Sequence, residues 1–288
     1  MRKVKRSFFY RAIGDSPFKL LFVNLALVIV CLVILWPVSR VITISLRPLD
    51  TLFSTDLRII PEGATLKAYY RILFEIDFFN WLKNSLVIAF ITAFMGVSLA
   101  STSAYAFSRF KFSLKQPGLV FLLVTQMFPA AMMLLPLYIM LIRLQLINTY
   151  IGLVIAYTST ALPFCIWILK GYYDTIPPDL EESARVDGAT PLQAFYKIIL
   201  PLSTPALAIT FLFSFMTAWS EYLVARVVIQ KSSLYTWTIG LYTLQGQYQT
   251  EWGTFAAASL LVSIPVVVIF LFTAKYLVSG LTLGAVKG

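Results

Sequence analysis

Reactive side chains are scarce in this sequence, and where they gather limits the chemistry open to it. Its 288 residues include no histidine, which removes the commonest general base and metal ligand and leaves no Ser–His relay or His-rich metal site. Cys31 and Cys165 both lie inside apolar runs; they suit ordinary apolar packing, and two thiols do not complete a four-ligand metal set. No Gly-x-x-x-x-Gly-Lys-Ser/Thr loop occurs, so the pattern that cradles a nucleoside triphosphate is missing. The expectation is a protein with no catalytic residues, metal or cofactor of its own; any ATP and Mg would be used by another chain.

The densest polar cluster runs from Asp174 to Pro201 and holds Asp174, Asp179, Glu181, Glu182 and Asp187 among the 13 acids of the chain. Pro178 suits the first position of a helix, and acids in the first turn favour the positive end of the helix dipole. Gly188 suits the left-handed position that ends one. This predicts a helix of about ten residues. Thr190-Pro191-Leu192-Gln193 then reads as a capping box that opens a second short helix, with Leu192, Phe195 and Ile199 on one face and a break at Pro201. So short and acidic a helix neither spans lipid nor stands alone in water, and it needs something to dock against. On composition alone, a solvated connection between helices is the rival reading.

The elements that position this cluster are membrane spans. The chain is 59% hydrophobic and 12% charged, and its apolar residues come in blocks of about 20, enough for a helix to cross a hydrocarbon core of about 30 Å. Blocks at 20–46, 84–107, 118–142, 150–170, 202–223 and 254–278 make six spans. A soluble enzyme is excluded, and the first block is too long for a signal peptide. Of the 23 basic residues, fourteen fall on one side if the amino terminus is inside, six of them in residues 1–19, against eight on the other side. Both termini are therefore expected in the cytoplasm. The basic balance thus reflects membrane topology and lipid rather than nucleic acid. The expected organisation is a cytoplasmic segment 1–19, one six-span domain 20–278 carrying the loop 174–201, and a cytoplasmic tail 279–288.

Arg40, Glu221 and Lys275 fall toward span ends, where long side chains reach the interface; none of them sits clearly at mid-bilayer, which disfavours proton-coupled transport. Prolines 37, 129, 136, 163, 205 and 265 fall in or beside spans and are candidates for kinks. Ser98, Ser101, Thr102 and Ser103 on span two, and Ser214, Thr217 and Ser220 on span five, either bond between helices or line a path. Between spans five and six, Gln245-Gly-Gln-Tyr-Gln-Thr-Glu-Trp252 combines amides and aromatics that suit either sugar contact or an interfacial belt.

Glu182-Ser183-Ala184, three residues, Gly188, nine residues, then Ile198-x-Leu200-Pro201 resembles the Glu-Ala-Ala loop of bacterial ABC importer permeases, with Ser183 in place of the first Ala. Ala104-Tyr-Ala-Phe-Ser-Arg109, Gln126-Met-Phe-Pro129, Asp187-Gly-Ala-Thr-Pro191 and the tail Gly280-Leu-Thr-Leu-Gly-Ala-Val-Lys-Gly288 look like the smaller, G-type permeases of maltose/maltodextrin importers. The resemblance covers most of the chain. It implies an all-α, type I ABC permease fold in a bacterial inner membrane. It also implies a second, F-type permease, a pair of ATPase subunits and an external sugar-binding protein as partners. By the same resemblance the ATPase-coupling residues are Glu181, Glu182, Ser183, Ala184, Asp187, Gly188, Ala189, Pro191, Ile198, Leu200 and Pro201. Gly284, Lys287 and Gly288 of the tail would reach toward the ATPases, and Gln245, Gln247, Tyr248 and Trp252 would meet the binding protein. A permease for another oligosaccharide or for glycerol phosphate is the alternative within transport. An intramembrane enzyme and a passive scaffold are the alternatives outside it.

Overall fold

Long apolar blocks satisfy their backbone polar groups internally, and in the computed structural model every regular element among the described residues, 17–48, 58–245 and 250–285, is a helix. In chain order the α-helices are α1 (Pro17–Ser45), α2 (Lys67–Phe74), α3 (Phe78–Arg109), α4 (Lys115–Met127), α5 (Ala130–Arg143), α6 (Tyr150–Tyr173), α7 (Asp179–Val186), α8 (Pro191–Ala194), α9 (Leu200–Leu202), α10 (Thr204–Ser220), α11 (Leu223–Val228), α12 (Trp237–Thr243) and α13 (Trp252–Ala285), with a π turn at Phe195–Ile199 and a 3-10 turn at Ser232–Leu234.

Among the described residues, α1, α3, α6 and α13 are each long and apolar enough to cross a membrane. Two bent pairs bring the number to six if each pair is one span. The expected third span breaks at Phe128–Pro129, where α4 and α5 meet at 103°. Pro129 has no N–H to continue α4, and Phe128 is extended (φ −74°, ψ 129°), as a residue before proline prefers. Pro37, Pro136, Pro163 and Pro265, by contrast, lie inside unbroken helices, and Pro205 sits in the first turn of α10.

The chain divides into two compact units, Met1–Tyr70 with Glu251–Leu260, and Arg71–Thr250 with Leu261–Gly288. In the first, the carboxyl end of α1 is tied to the segment that follows: Thr43 Oγ1 donates to the Ile59 carbonyl (2.9 Å), the Thr65 amide donates to the Leu46 carbonyl (2.9 Å), and the Ser45 and Tyr69 hydroxyls share a bond of 2.8 Å. The apolar side chains along the rest of α1 are exposed, a surface suited to lipid.

In the second unit α3 packs against both α6 and α10 through small residues. Ala89, Ala93, Gly96, Ala100 and Ala104 recur at three- and four-residue spacing and are buried, which lets the backbones approach closely. A Cβ at Gly96 would lie 2.7 Å from Ser214 Oγ, and that hydroxyl in turn lies 3.2 Å from Cys165 Sγ. Gly96, Cys165 and Ser214 thus mark the three-helix crossing. The other span hydroxyls mostly turn back on their own helix: Ser101 and Thr102 donate to the Ser98 carbonyl, Thr217 to Phe213 and Ser220 to Met216.

Candidate functional site

The segment 174–201 folds as a capped elbow. Three acids, Asp179, Glu181 and Glu182, fill the first turn of α7. Pro178 takes the N-cap rather than the first helical position, so α7 has eight residues, a little shorter than the sequence suggests. The helix ends at Asp187, and Gly188 follows at φ +88°. The Ala189 amide donates to the Ala184 carbonyl (2.9 Å) and the Gly188 amide to the Arg185 carbonyl (3.0 Å); these two bonds close a Schellman motif that only a left-handed residue completes. The capping box expected at Thr190 is present. The Gln193 amide donates to Thr190 Oγ1 (3.2 Å), and the Thr190 amide donates to Gln193 Oε1 (2.9 Å).

Beyond α8 the structure departs from expectation. Pro201 does not end the helix. Phe195–Ile199 widen into a π turn in which the Leu200 amide donates to the Phe195 carbonyl, which relieves the clash a proline imposes on the preceding turn. The chain turns two residues later, at Ser203, where Pro191–Leu202 and Thr204–Ser220 meet at 80°. The elbow is therefore not one straight rod with span five. Leu192 also departs from the expected face: Ala194, Phe195 and Ile199 are buried while Leu192 is exposed. At about 100° per residue Leu192 sits some 250° from the midpoint of Ala194 and Phe195, well off the buried stripe.

What the sequence reading does not reveal is how the two adjacent glutamates divide. Glu182 points outward, with Ser183, Asp187 and Gly188 also exposed and Ala184 and Ala189 half-buried. Glu181 is buried. One of its oxygens, Oε2, accepts from the Tyr105 hydroxyl (2.7 Å), and the other, Oε1, pairs with Arg109 Nε (2.5 Å). Arg109 Nη2 also donates to the Ile176 carbonyl (2.9 Å), just ahead of α7. The Tyr105 ring lies 4.7 Å from that of Phe195, which anchors the far arm of the elbow. Ser108 Oγ donates to Asp174 Oδ1 (2.7 Å), and Lys170 Nζ pairs with Asp174 Oδ2 (2.6 Å). Burial raises the Asp174 carboxyl, but hydrogen bonds from Lys170 and Ser108 and the charges of Lys170 and Lys115 outweigh it and hold the group below the usual carboxylate value. Tyr105, Ser108 and Arg109 belong to a stretch singled out only by resemblance. The signal in the residues is a Tyr and an Arg four apart at the end of a span, facing a loop rich in acids.

The outward surface of the elbow carries Leu180, Val186, Leu192 and Tyr196, all exposed, among Glu182 and Asp187. Val186 is 88% exposed. This outer surface thus sets protruding apolar side chains among acids on a short helix whose underside is pinned. Ile198 and Leu200 are half-buried, Leu200 against the core, while Pro191 and Pro201 are exposed.

At the other end of α3 the connection 221–245 is also built rather than loose. Asn84 donates to the Tyr235 carbonyl (2.9 Å) and accepts from the Tyr150 hydroxyl (2.6 Å). Asn148 Oδ1 receives the Gln230 and Lys231 amides (2.7 and 3.0 Å), and Gly240 lies so close to Trp81 that a Cβ there would fall 2.1 Å from the ring. Gln245 follows α12, exposed. Trp252 meets Phe255 edge-on at 6.2 Å. Gln247, Tyr248, Lys287 and Gly288 lie outside the described residues, and Gly284 falls in the last turn of α13.

Residues 93–282 match the family model described as "Binding-protein-dependent transport system inner membrane component". The chain is 38% identical to the maltose/maltodextrin transport system permease protein MalG of Photorhabdus laumondii, covering 95% of this chain and 98% of that relative. It is 41% identical to the MalG of Escherichia coli K12 over 72% of each. A chain in the crystal structure of a bacterial ABC transporter involved in the import of the acidic polysaccharide alginate superposes with a TM-score of 0.77 at 22% identity, covering 92% of this chain and all of that one.

Proposed function

This chain belongs to the binding-protein-dependent transport system inner membrane components, and from that membership we propose that it is the permease subunit through which an ATP-driven importer moves maltose or maltodextrin. It is a multi-pass membrane protein of the ABC importer permease fold. Its partners are a second permease, ATPase subunits and a binding protein; in this reading the second permease is of the F type, the ATPases form a homodimer, and both termini lie in the cytoplasm. ATP hydrolysis belongs to the partners. The identity to relatives named for maltose and maltodextrin supports the choice of solute.

The observation that carries the mechanism is the elbow 174–201: a helix locked at one end by a Schellman glycine and at the other by acids and Pro178, presenting Glu182, Val186 and Leu192 outward. A part this stiff passes on rigid-body closure of a motor, where a slack connection would absorb it. In alternating access, closure of the ATPases moves the elbow, and the bundle of α3, α6 and α10 reorients around a path shared with the second permease. In this reading Gln245, Gln247, Tyr248 and Trp252 are the residues that meet the loaded binding protein. Extraction in mild detergent should recover the second permease and ATPase with this chain, and proteoliposomes supplied with ATP and a maltose-loaded binding protein should accumulate maltose. Glu182→Lys should abolish that uptake at normal membrane insertion. Undiminished uptake in this variant, or recovery of the chain with no ATPase attached, would refute the assignment.

A further inference from the structure

The geometry points to a division of labour between two adjacent carboxylates: Glu182 faces the motor, while Glu181, gripped by Arg109 and Tyr105, is the positioning residue that makes α7 travel as one body with α3. This inference rests on the coupling role proposed above and names the route that motion takes inside the chain.

Covalent connection alone would send the motion elsewhere. The elbow joins α6 through the non-helical stretch after Tyr173 and joins α10 only after the 80° turn at Ser203, so neither neighbour in sequence continues its axis. The helix that grips it is α3, 72 residues away along the chain. The grip is spread over the whole elbow. Ser108 holds Asp174 before it, Arg109 holds Ile176 at its approach and Glu181 in its first turn, and Tyr105 holds Glu181 and packs its ring at a tilt against Phe195 beyond it. The side chains of Arg109 and Glu181 are only 13% and 9% exposed. Water therefore screens the pair weakly, and removing either partner strands a buried charge. α3 is also the helix that packs on both α6 and α10, so whatever displaces its end reaches the entire core.

The test uses the complete transporter in proteoliposomes, with both permeases, the ATPases and the binding protein, and reads maltose moved per ATP hydrolysed. A purely structural role lowers transport and hydrolysis together and leaves this ratio alone. Glu181→Gln and Arg109→Gln should each lower the ratio by about tenfold, the factor set by loss of one charge-assisted hydrogen bond. The exchange Glu181→Arg with Arg109→Glu should restore most of it. Should Glu181→Gln fail to assemble, Tyr105→Phe removes one hydroxyl without touching a charge, and it should lower the ratio by about threefold, a neutral donor being worth less than a charged one. A wild-type ratio in the assembled single variants, or an assembled charge exchange no better than they are, overturns the proposal. Glu182→Lys, run alongside, separates the two levels. Uptake lost in Glu182→Lys with an unchanged ratio in Glu181→Gln removes the internal joint and keeps the docking role; uptake retained in Glu182→Lys removes both.

Discussion

Gly188 shows how a single residue sets the geometry of the elbow. A Cβ there meets nothing within 4 Å, so the requirement is conformational alone: at φ +88° any L side chain is strained by about 1–2 kcal/mol, and proline cannot reach the angle at all. Gly188→Ala should therefore weaken ATP-driven uptake modestly and Gly188→Pro should abolish it, with vesicle uptake as the measurement. Asp174 carries a pH dependence. Its carboxyl is held below the ordinary value in the folded chain, so the stabilisation is present above the unfolded pKa of about 3.9 and is lost as pH falls through the folded value. Partial exposure keeps the effect small. Melting temperature measured from pH 7 downward should decline in that acid window, and Asp174→Asn should flatten the decline.

Among the elements, the crossing of α3 with α10 leaves little room. Gly96 faces Ser214 with its absent Cβ 2.7 Å from the hydroxyl and 3.3 Å from the Ser214 Cβ, and the Ser214 Cβ, fixed to its helix, cannot swing aside for a branched side chain. Gly96→Val should destabilise the bundle by about 1–3 kcal/mol, read as a lower melting temperature in detergent. The spans, the capping box and the glycine stop were legible in the sequence because each follows from local pattern: twenty apolar residues, Thr-x-x-Gln, a Gly after an acidic turn. The bends were not. Hydropathy measures how apolar a stretch is and carries no direction, so 118–142 reads as one rod although Pro129 turns it by 103°. Pro201 was expected to stop its helix, and the π turn at Phe195–Ile199 moves the change of direction to Ser203. The inward turn of Glu181 was likewise hidden. Tandem glutamates look alike in a string, and only the arrival of Tyr105 and Arg109 from another helix separates them.

At the scale of the whole molecule, one tightly packed helix joins the elbow to the connection 221–245. α3 has 32 residues, about 48 Å at 1.5 Å each; near one end Trp81 and Asn84 brace the connection 221–245, and at the other Tyr105 and Arg109 brace the elbow. In the proposed cycle, motion at the elbow would pass lengthwise through this one helix rather than from side chain to side chain. The break at Phe128–Pro129 has its own implication. The last carbonyls of α4 have no following helical turn to donate N–H groups to them, and Gln126 Nε2 donates to the Thr160 carbonyl instead. Hydrocarbon offers such carbonyls nothing, so the notch must be wetted or covered by protein. Met127 is 80% exposed at its lip. A cysteine placed there in a chain lacking its native thiols should react with a charged, lipid-insoluble maleimide, and its shielding or exposure through a transport cycle would report when the notch is hydrated.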